Sequence, residues 1–319
     1  MSPTLPVSLV IPAYNRADFV AETLDSALNQ TQPFDEIIVI DDGSTDATPE
    51  VLTRYAGRIR SRRTANHGVQ SARNTGVDMA RNPLVAFCDS DDLLEPDLVQ
   101  VIAPWMSAHP ESDAVYCDFV TFNHQGTDPT KFSRAPAGFF DGAADDGDFL
   151  TGIPDLYGRS VDYQPLFQSG LTVRKEFFER IGGFDTKFKG VGAEDWEFTL
   201  RALALGNIAL CKRPLARVRK HEGNDSGDAM KMSLGEAQIL EHGLSHHPGA
   251  RRYEEAIHRS IAARRASAFD AAFARGDFDL AGRLLELLPP RHDPRFRLKS
   301  FIATLPAALR SPLWRLTQR

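Results

Sequence analysis

Short apolar runs and helical stripes take turns along the first part of the chain. Val7-Ser8-Leu9-Val10-Ile11 is rich in branched residues and predicts a buried strand that stops at Pro12. Phe19, Val20, Thr23, Leu24, Ala27 and Leu28 recur at helical spacing. Residues 36–40 (EIIVI) predict a second strand. The turn-rich DDGSTD then leads into a helix starting near Asp46 or Thr48, with Pro49 in its first turn. Residues 58–63 predict an edge strand, 69–80 a helix, 84–88 a strand, 97–108 a helix and 114–120 a strand. Strands alternating with helices imply an α/β fold, with a mostly parallel central sheet covered on both faces. Such sheets bind ligands beyond the carboxyl ends of their strands, at a switch in strand order. The polar segments Pro12–Asn15, Asp41–Ser44 and Asp89–Asp92 all fall at that end.

Residues 121–165 lack periodicity and are rich in Gly, Asp, Pro and Phe, which predicts mobile loops rather than a separate domain. Helical spacing returns at 174–181 and 195–205, with a strand-like run at 215–218. From about Ser233 the pattern is almost wholly helical, as in 251–275 and 278–288, and Pro289-Pro290 stops it. The expected division is a first domain over 1–228, in two parts that meet at about 120, followed by a helical region over 229–319.

Charge and cysteine content narrow the chemistry. The 37 basic and 43 acidic residues give a net charge of −6, which argues against a general nucleic-acid binder. Cys88, Cys117 and Cys211 lie far apart without zinc-ligand or CxxC spacing, so a reducing compartment and no finger-type metal are expected. Met1 to Pro6 carries no basic residue and Val7–Ile11 is too short for a signal core. Together with the lack of a membrane-length apolar stretch, this predicts a cytoplasmic protein.

Phe87-Cys88-Asp89-Ser90-Asp91-Asp92 sets three carboxylates in four residues directly after a buried strand. Like charges so close repel unless a cation neutralises them, and an oxygen-only set favours Mg²⁺ or Mn²⁺. Alternation along an extended segment would point Asp89 and Asp91 one way and Asp92 the other. The competing reading is a turn capped by Asp92. Glu194-Asp195-Trp196 opens a helix, where acids favour the dipole, or it supplies a general base beside an aromatic platform. His221 lies beyond the 215–218 run, and a lone histidine is usually no ligand.

Six motifs then occur in order: SLVIPAYNR (8–16), EIIVIDDGSTD (36–46), NHGVQSARNTG (66–76), FCDSDD (87–92), IGGFDTKF (181–188) and GAEDWEFTLRALALG (192–206). Over roughly residues 5–225 the chain resembles the inverting nucleotide-sugar glycosyltransferases of family 2, which have the GT-A fold. The resemblance implies that Pro12, Ala13 and Tyr14 line the base pocket and that Asp42 accepts a hydrogen bond from the base, with uridine favoured. Asn66, Gly68, Arg73, Asp89 and Ser90 would border the nucleotide. Asp91, with Asp89 and His221, would hold Mn²⁺ or Mg²⁺. Asp195 would be the catalytic base, and Glu194 and Trp196 would shape the site of a saccharide or lipid-linked acceptor. The implied role is cell-surface polysaccharide or glycoconjugate assembly. Alternatives are a degenerate nucleotide-sugar-binding protein or a sugar nucleotidyltransferase, although only Arg16 is basic after the first strand. A dinucleotide oxidoreductase lacks its GxGxxG here, and a P-loop NTPase its GxxxxGK[ST].

The segment 291–319 combines Arg291, Arg295, Arg297, Lys299, Arg310, Arg315 and Arg319 with Phe296, Phe301, Ile302, Leu309, Leu313 and Trp314. It suits peripheral contact with an anionic membrane, or ordinary helical packing, or a dimer element.

Overall fold

The computed structural model describes residues 4–221 and 227–317. The described residues divide into two compact units, 4–190 with 195–221, and 191–194 with 227–317.

The first unit is built on one sheet. Four parallel strands form its nucleus: β1 (Val7–Ala13), β2 (Glu36–Asp41), β3 (Arg60–Arg63) and β4 (Leu84–Phe87). The full order is β3-β2-β1-β4-β10-β6-β11-β9-β8. Here β6 is Ala114–Asn123, β8 Ala144–Asp146, β9 Phe149–Thr151, β10 Leu171–Arg174 and β11 Ile208–Arg219. The path leaves β1 for β2 and β3 on one side, then returns to β4 on the other. That reversal is the switch point where α/β sheets bind ligands.

The apolar runs have no polar face because both sides of the sheet are covered. Alternation sorts them instead. Leu9, Ile11, Ile37 and Val39 join α1 (Val20–Leu28) and α4 (Leu98–Ala108) in one core. Val10, Ile38 and Ile40 join α3 (Val69–Met79), α6 (Lys175–Arg180) and α7 (Glu194–Leu205) in the other. Gly76 of α3 sits so close to β1 that a Cβ there would lie 2.3 Å from Val10 Cγ1.

Two expectations need correction, and one strand is not predicted at all. The first strand runs through Pro12 to Ala13. The Val10 carbonyl accepts from Cys88 N–H, so Pro12, two residues on, turns its missing N–H to that same side, where the β4 register has already ended. Residues 171–174 form β10, antiparallel between β4 and β6, a strand the pattern does not predict, while the helix expected over 174–181 is α6. Four buried residues are too few for a period to show. Finally, 121–165 is not loop throughout. β6 continues to Asn123 and turns back as β7 (Gly126–Thr127), the β8–β9 hairpin lies on β11, and α5 (Leu156–Asp162) follows. Buried Phe132, Phe139, Ile153 and Leu156 anchor this stretch without repeating at any spacing.

The second unit is helical: α8 (Ala229–His246), α9 (Glu254–Arg275), α10 (Phe278–Glu286), α11 (Pro294–Thr304) and α12 (Ala307–Thr317). Phe269, Phe273, Leu284 and Ile302 centre its core, with Phe296 and Trp314 packed on it. Aspartates 228, 277 and 293 each cap a helix by accepting backbone N–H groups. No helix among the described residues is long and apolar enough to cross a membrane.

Candidate active site

The carboxyl ends of β1, β2 and β4 carry the polar motifs, and each is held by backbone hydrogen bonds. Asp42 follows β2 and is buried at 3% exposure. Its carboxylate accepts from His67 N–H at 2.9 Å, Gly68 N–H at 2.7 Å and the Thr64 hydroxyl at 3.2 Å, which fixes the 64–68 loop. Gly43 makes that approach feasible: its φ is +79°, and a Cβ would meet Asn66 N at 3.0 Å. Tyr14, at the end of β1, is an exposed aromatic ring, while Ala13 beside it is buried. Asn15 adopts φ 52° and its side-chain oxygen accepts from Thr45 N–H at 2.7 Å, joining the β1 and β2 loops.

The acids after β4 form a turn, not an extended segment, because Asp92 N–H bonds back to Asp89 C=O at 3.0 Å. Simple alternation therefore does not apply, and the three carboxylates take separate sets of partners. Asp89 accepts from Arg73 at 2.6 Å. Arg73 is buried at 3% exposure, with its guanidinium over the Phe184 ring. Asp91 Oδ2 lies 3.0 Å from both Arg16 Nε and His221 Nε2. His221 stacks on Phe19, ring centroids 4.4 Å apart, which fixes its plane. Asp92 is buried, accepting from the Ser169 hydroxyl and from Arg219 N–H. Burial, and then the charges of Asp91 and Asp89, push its carboxyl well above the usual range. Ser90 is buried beside it.

Residues 168 and 169 connect the two acidic motifs. The Ser169 hydroxyl also accepts from Asp89 N–H at 3.0 Å. Gln168 Nε2 donates to Thr199 Oγ1 at 3.2 Å and to Asp195 C=O at 3.5 Å, in the first turns of α7. Asp195 is half-buried. Trp196 is buried at 2% exposure, so its ring is not an open platform. Glu194 is the first residue of α7 and falls in the second unit.

Sequence reading missed Gln168, Ser169, Phe19 and Arg219, and valued Arg16 only as a lone cation. Ser169 and Gln168 stand far from any acidic motif in the chain, so no local signal marks them. Arg16 is the last residue of the YNR motif, and that adjacency was a usable signal. The three thiols are buried and pushed upward by burial, Cys211 to about 12, so none is a thiolate nucleophile.

Asp91 Oδ2 and His221 Nε2, 3.0 Å apart, are donor types that a divalent cation such as Mn²⁺ takes, and Asp89 lies two residues from Asp91 in the same turn.

Comparison with known proteins agrees with this architecture. The family model for glycosyl transferase family 2 matches residues 8–158, and that for the N-terminal domain of galactosyltransferase matches 154–221. The Bacillus subtilis (strain 168) protein EpsH is 37% identical over 119 residues, 36% of this chain and 34% of its own length. The chain thus spans about a third of that relative. The PGL/p-HBAD biosynthesis glycosyltransferase of Mycobacterium bovis (strain BCG / Pasteur 1173P2) is 30% identical over 211 residues, 65% of this chain and 72% of its own. Among solved structures, S. aureus TarS 1-349 in complex with UDP-GlcNAc gives a TM-score of 0.62 at 17% identity, covering 98% of this chain and 90% of that one. The mannosyltransferase PcManGT from Pyrobaculum calidifontis, in complex with GDP-Man and Mn²⁺, gives 0.56 at 19%, covering 99% and 88%. The fold is GT-A-like, and the chain belongs to glycosyltransferase family 2.

Proposed function

We propose that this chain is a metal-dependent inverting glycosyltransferase that moves a sugar from a nucleoside diphosphate sugar, UDP favoured, to an acceptor hydroxyl in cell-surface polysaccharide or glycoconjugate assembly. The observation that carries the reading is the Asp89–Asp92 turn at the switch point, linked through Ser169 and Gln168 to the start of α7.

The donor lies across the carboxyl ends of β1, β2 and β4. Tyr14 stacks on the nucleobase, flanked by Pro12 and Ala13. Asp42 accepts the base N–H with lone pairs left over from its loop contacts. Asn66, Gly68 and Ser90 border ribose and phosphates, and Arg73 acts through Asp89 by holding its carboxylate in place. Asp91, Asp89 and His221 would hold Mn²⁺ or Mg²⁺, which would neutralise charge on the leaving diphosphate. Likeness to folds solved with UDP-GlcNAc and with GDP-Man and Mn²⁺ supports this assignment of ligand class.

Asp195 takes the proton from the acceptor hydroxyl as its oxygen attacks the anomeric carbon opposite the diphosphate. A single displacement inverts configuration, so an α-linked donor yields a β product and no protein nucleophile is required. Glu194 and Trp196 are proposed on the acceptor side, Trp196 by anchoring the helix start.

Nucleoside diphosphate release from UDP-sugars with Mn²⁺ tests the reading. Asp195→Asn is expected to lower turnover by roughly 10²- to 10⁴-fold while calorimetric donor binding survives. Full activity in that variant would refute the base. Binding without any release in the native chain, with every acceptor class tried, would favour a nucleotide-sugar-binding protein.

A further inference from the structure

Eight large hydrophobic side chains stand exposed among the described residues, and five of them lie on α11 and α12. These are Leu298 and Phe301 on α11, and Leu309, Leu313 and Leu316 on α12, up to 63% exposed. Each set is spaced three or four residues apart, so each forms a stripe rather than a scatter. The packing of α12 uses another of its faces. Trp314 Nε1 donates to Phe273 C=O at 2.7 Å, and the Arg310 guanidinium lies 4.3 Å from the Phe278 ring centre. The apolar stripes are therefore left over after the helical core is complete.

Charge separates in the same place. Residues 291–317 hold six Lys or Arg and one acid, a net of +5, within a chain of −6. The one acid, Asp293, is engaged in capping α11. Lys299 pairs with Asp270, while Arg295, Arg297 and Arg315 stand exposed.

We propose that the α11–α12 face docks on an anionic lipid bilayer, its leucines and Phe301 entering the headgroup–acyl boundary and its arginines meeting lipid phosphates. The pairing of apolar stripe and positive charge selects this occupant. A second copy of the same face would set +5 against +5. A nucleic acid would use the charge but leave the leucines in water, and Phe296 and Trp314, the other large rings here, are taken up by the core. The inference is independent of the donor chemistry, so its failure leaves that reading intact.

The test is co-sedimentation of the full chain with vesicles of phosphatidylcholine alone, or with about 30% phosphatidylglycerol, at about 0.1 and 0.5 M salt. The native chain is expected to pellet with the anionic vesicles, less so at high salt, and to stay in solution with neutral ones. Leu309→Ser/Leu313→Ser/Leu316→Ser, whose thermal melt should match the native one because these side chains are exposed, should bind at least ~10-fold more weakly. Arg295→Glu/Arg297→Glu should abolish the preference for anionic lipid. Native chain left in solution with both vesicle types would overturn the proposal, even if the variants failed to fold. So would unchanged binding by the triple-serine variant, or a self-association in sedimentation velocity that the serine substitutions abolish.

Discussion

The Arg16 guanidinium and the Asp91 carboxylate meet at 3.0 Å, although 75 residues separate them, on the same oxygen that His221 reaches. β1 and β4 are neighbours, so the residues just past their ends converge. A cation is thus already present where a divalent ion is proposed to bind, and ion and guanidinium compete for one oxygen.

Removing each partner separates their roles. Arg16→Gln relieves a partly exposed pair worth ~0.2–1 kcal/mol, so Mn²⁺ alone should bind about 1.5- to 5-fold more tightly by calorimetry. Asp91→Asn should eliminate Mn²⁺-dependent nucleotide binding. Unaltered metal-dependent affinity in Asp91→Asn would remove Asp91 from the ligand set.

Ser169 bonds to Asp92 with its hydroxyl and accepts from Asp89 N–H. Ser169→Ala leaves a buried carboxyl short of a donor, which costs ~1–3 kcal/mol of stability. It should also weaken metal-dependent nucleotide binding by roughly 10- to 100-fold, as expected for a group that orients ligands. A loss of stability with native affinity would confine Ser169 to structure.

Gly76→Ala drives a methyl into Val10. Overpacking of this kind costs ~1–3 kcal/mol, read as a lower urea midpoint at constant slope. Gly57, beside which a Cβ would meet nothing, has φ +84°, so Gly57→Ala would report backbone strain alone and serves as the contrast.

Asp118 on β6 is pushed above the usual carboxylate range by burial, while one oxygen accepts Phe119 and Phe132 N–H. A raised folded pKa means the group favours the fold below its unfolded pKa, and that contribution is lost as pH rises through the folded value. Asp118→Asn keeps the acceptor and removes the buried charge. Its melting temperature should exceed the native one at pH 7, and the difference should vanish below about pH 4. A lower melting temperature at pH 7 would mean the charge itself is needed.

Much of the first ~120 residues was legible because local rules suffice there. Branched apolar runs, Pro49 in a first turn, and acids clustered after a buried strand each carry their meaning within a few residues. The same rules foretold an edge strand at 58–63 and helices at 19–28 and 69–80, found at 60–63, 20–28 and 69–79. They failed at β10, four residues long, and over 121–165, whose buried phenylalanines follow no period.

The sequence by itself determined the strands and helices of the first ~120 residues, and that the polar ends of those strands carry acids. Only the tertiary structure decided which partner each acid takes: Arg73 for Asp89, Arg16 and His221 for Asp91, Ser169 and Arg219 for Asp92. Those partners come from distant parts of the chain, and strand order, which is set by the packing of both cores at once, brings them together. The same holds for the α11–α12 face, where the pattern supplied an amphipathic segment and packing chose which side to leave in water.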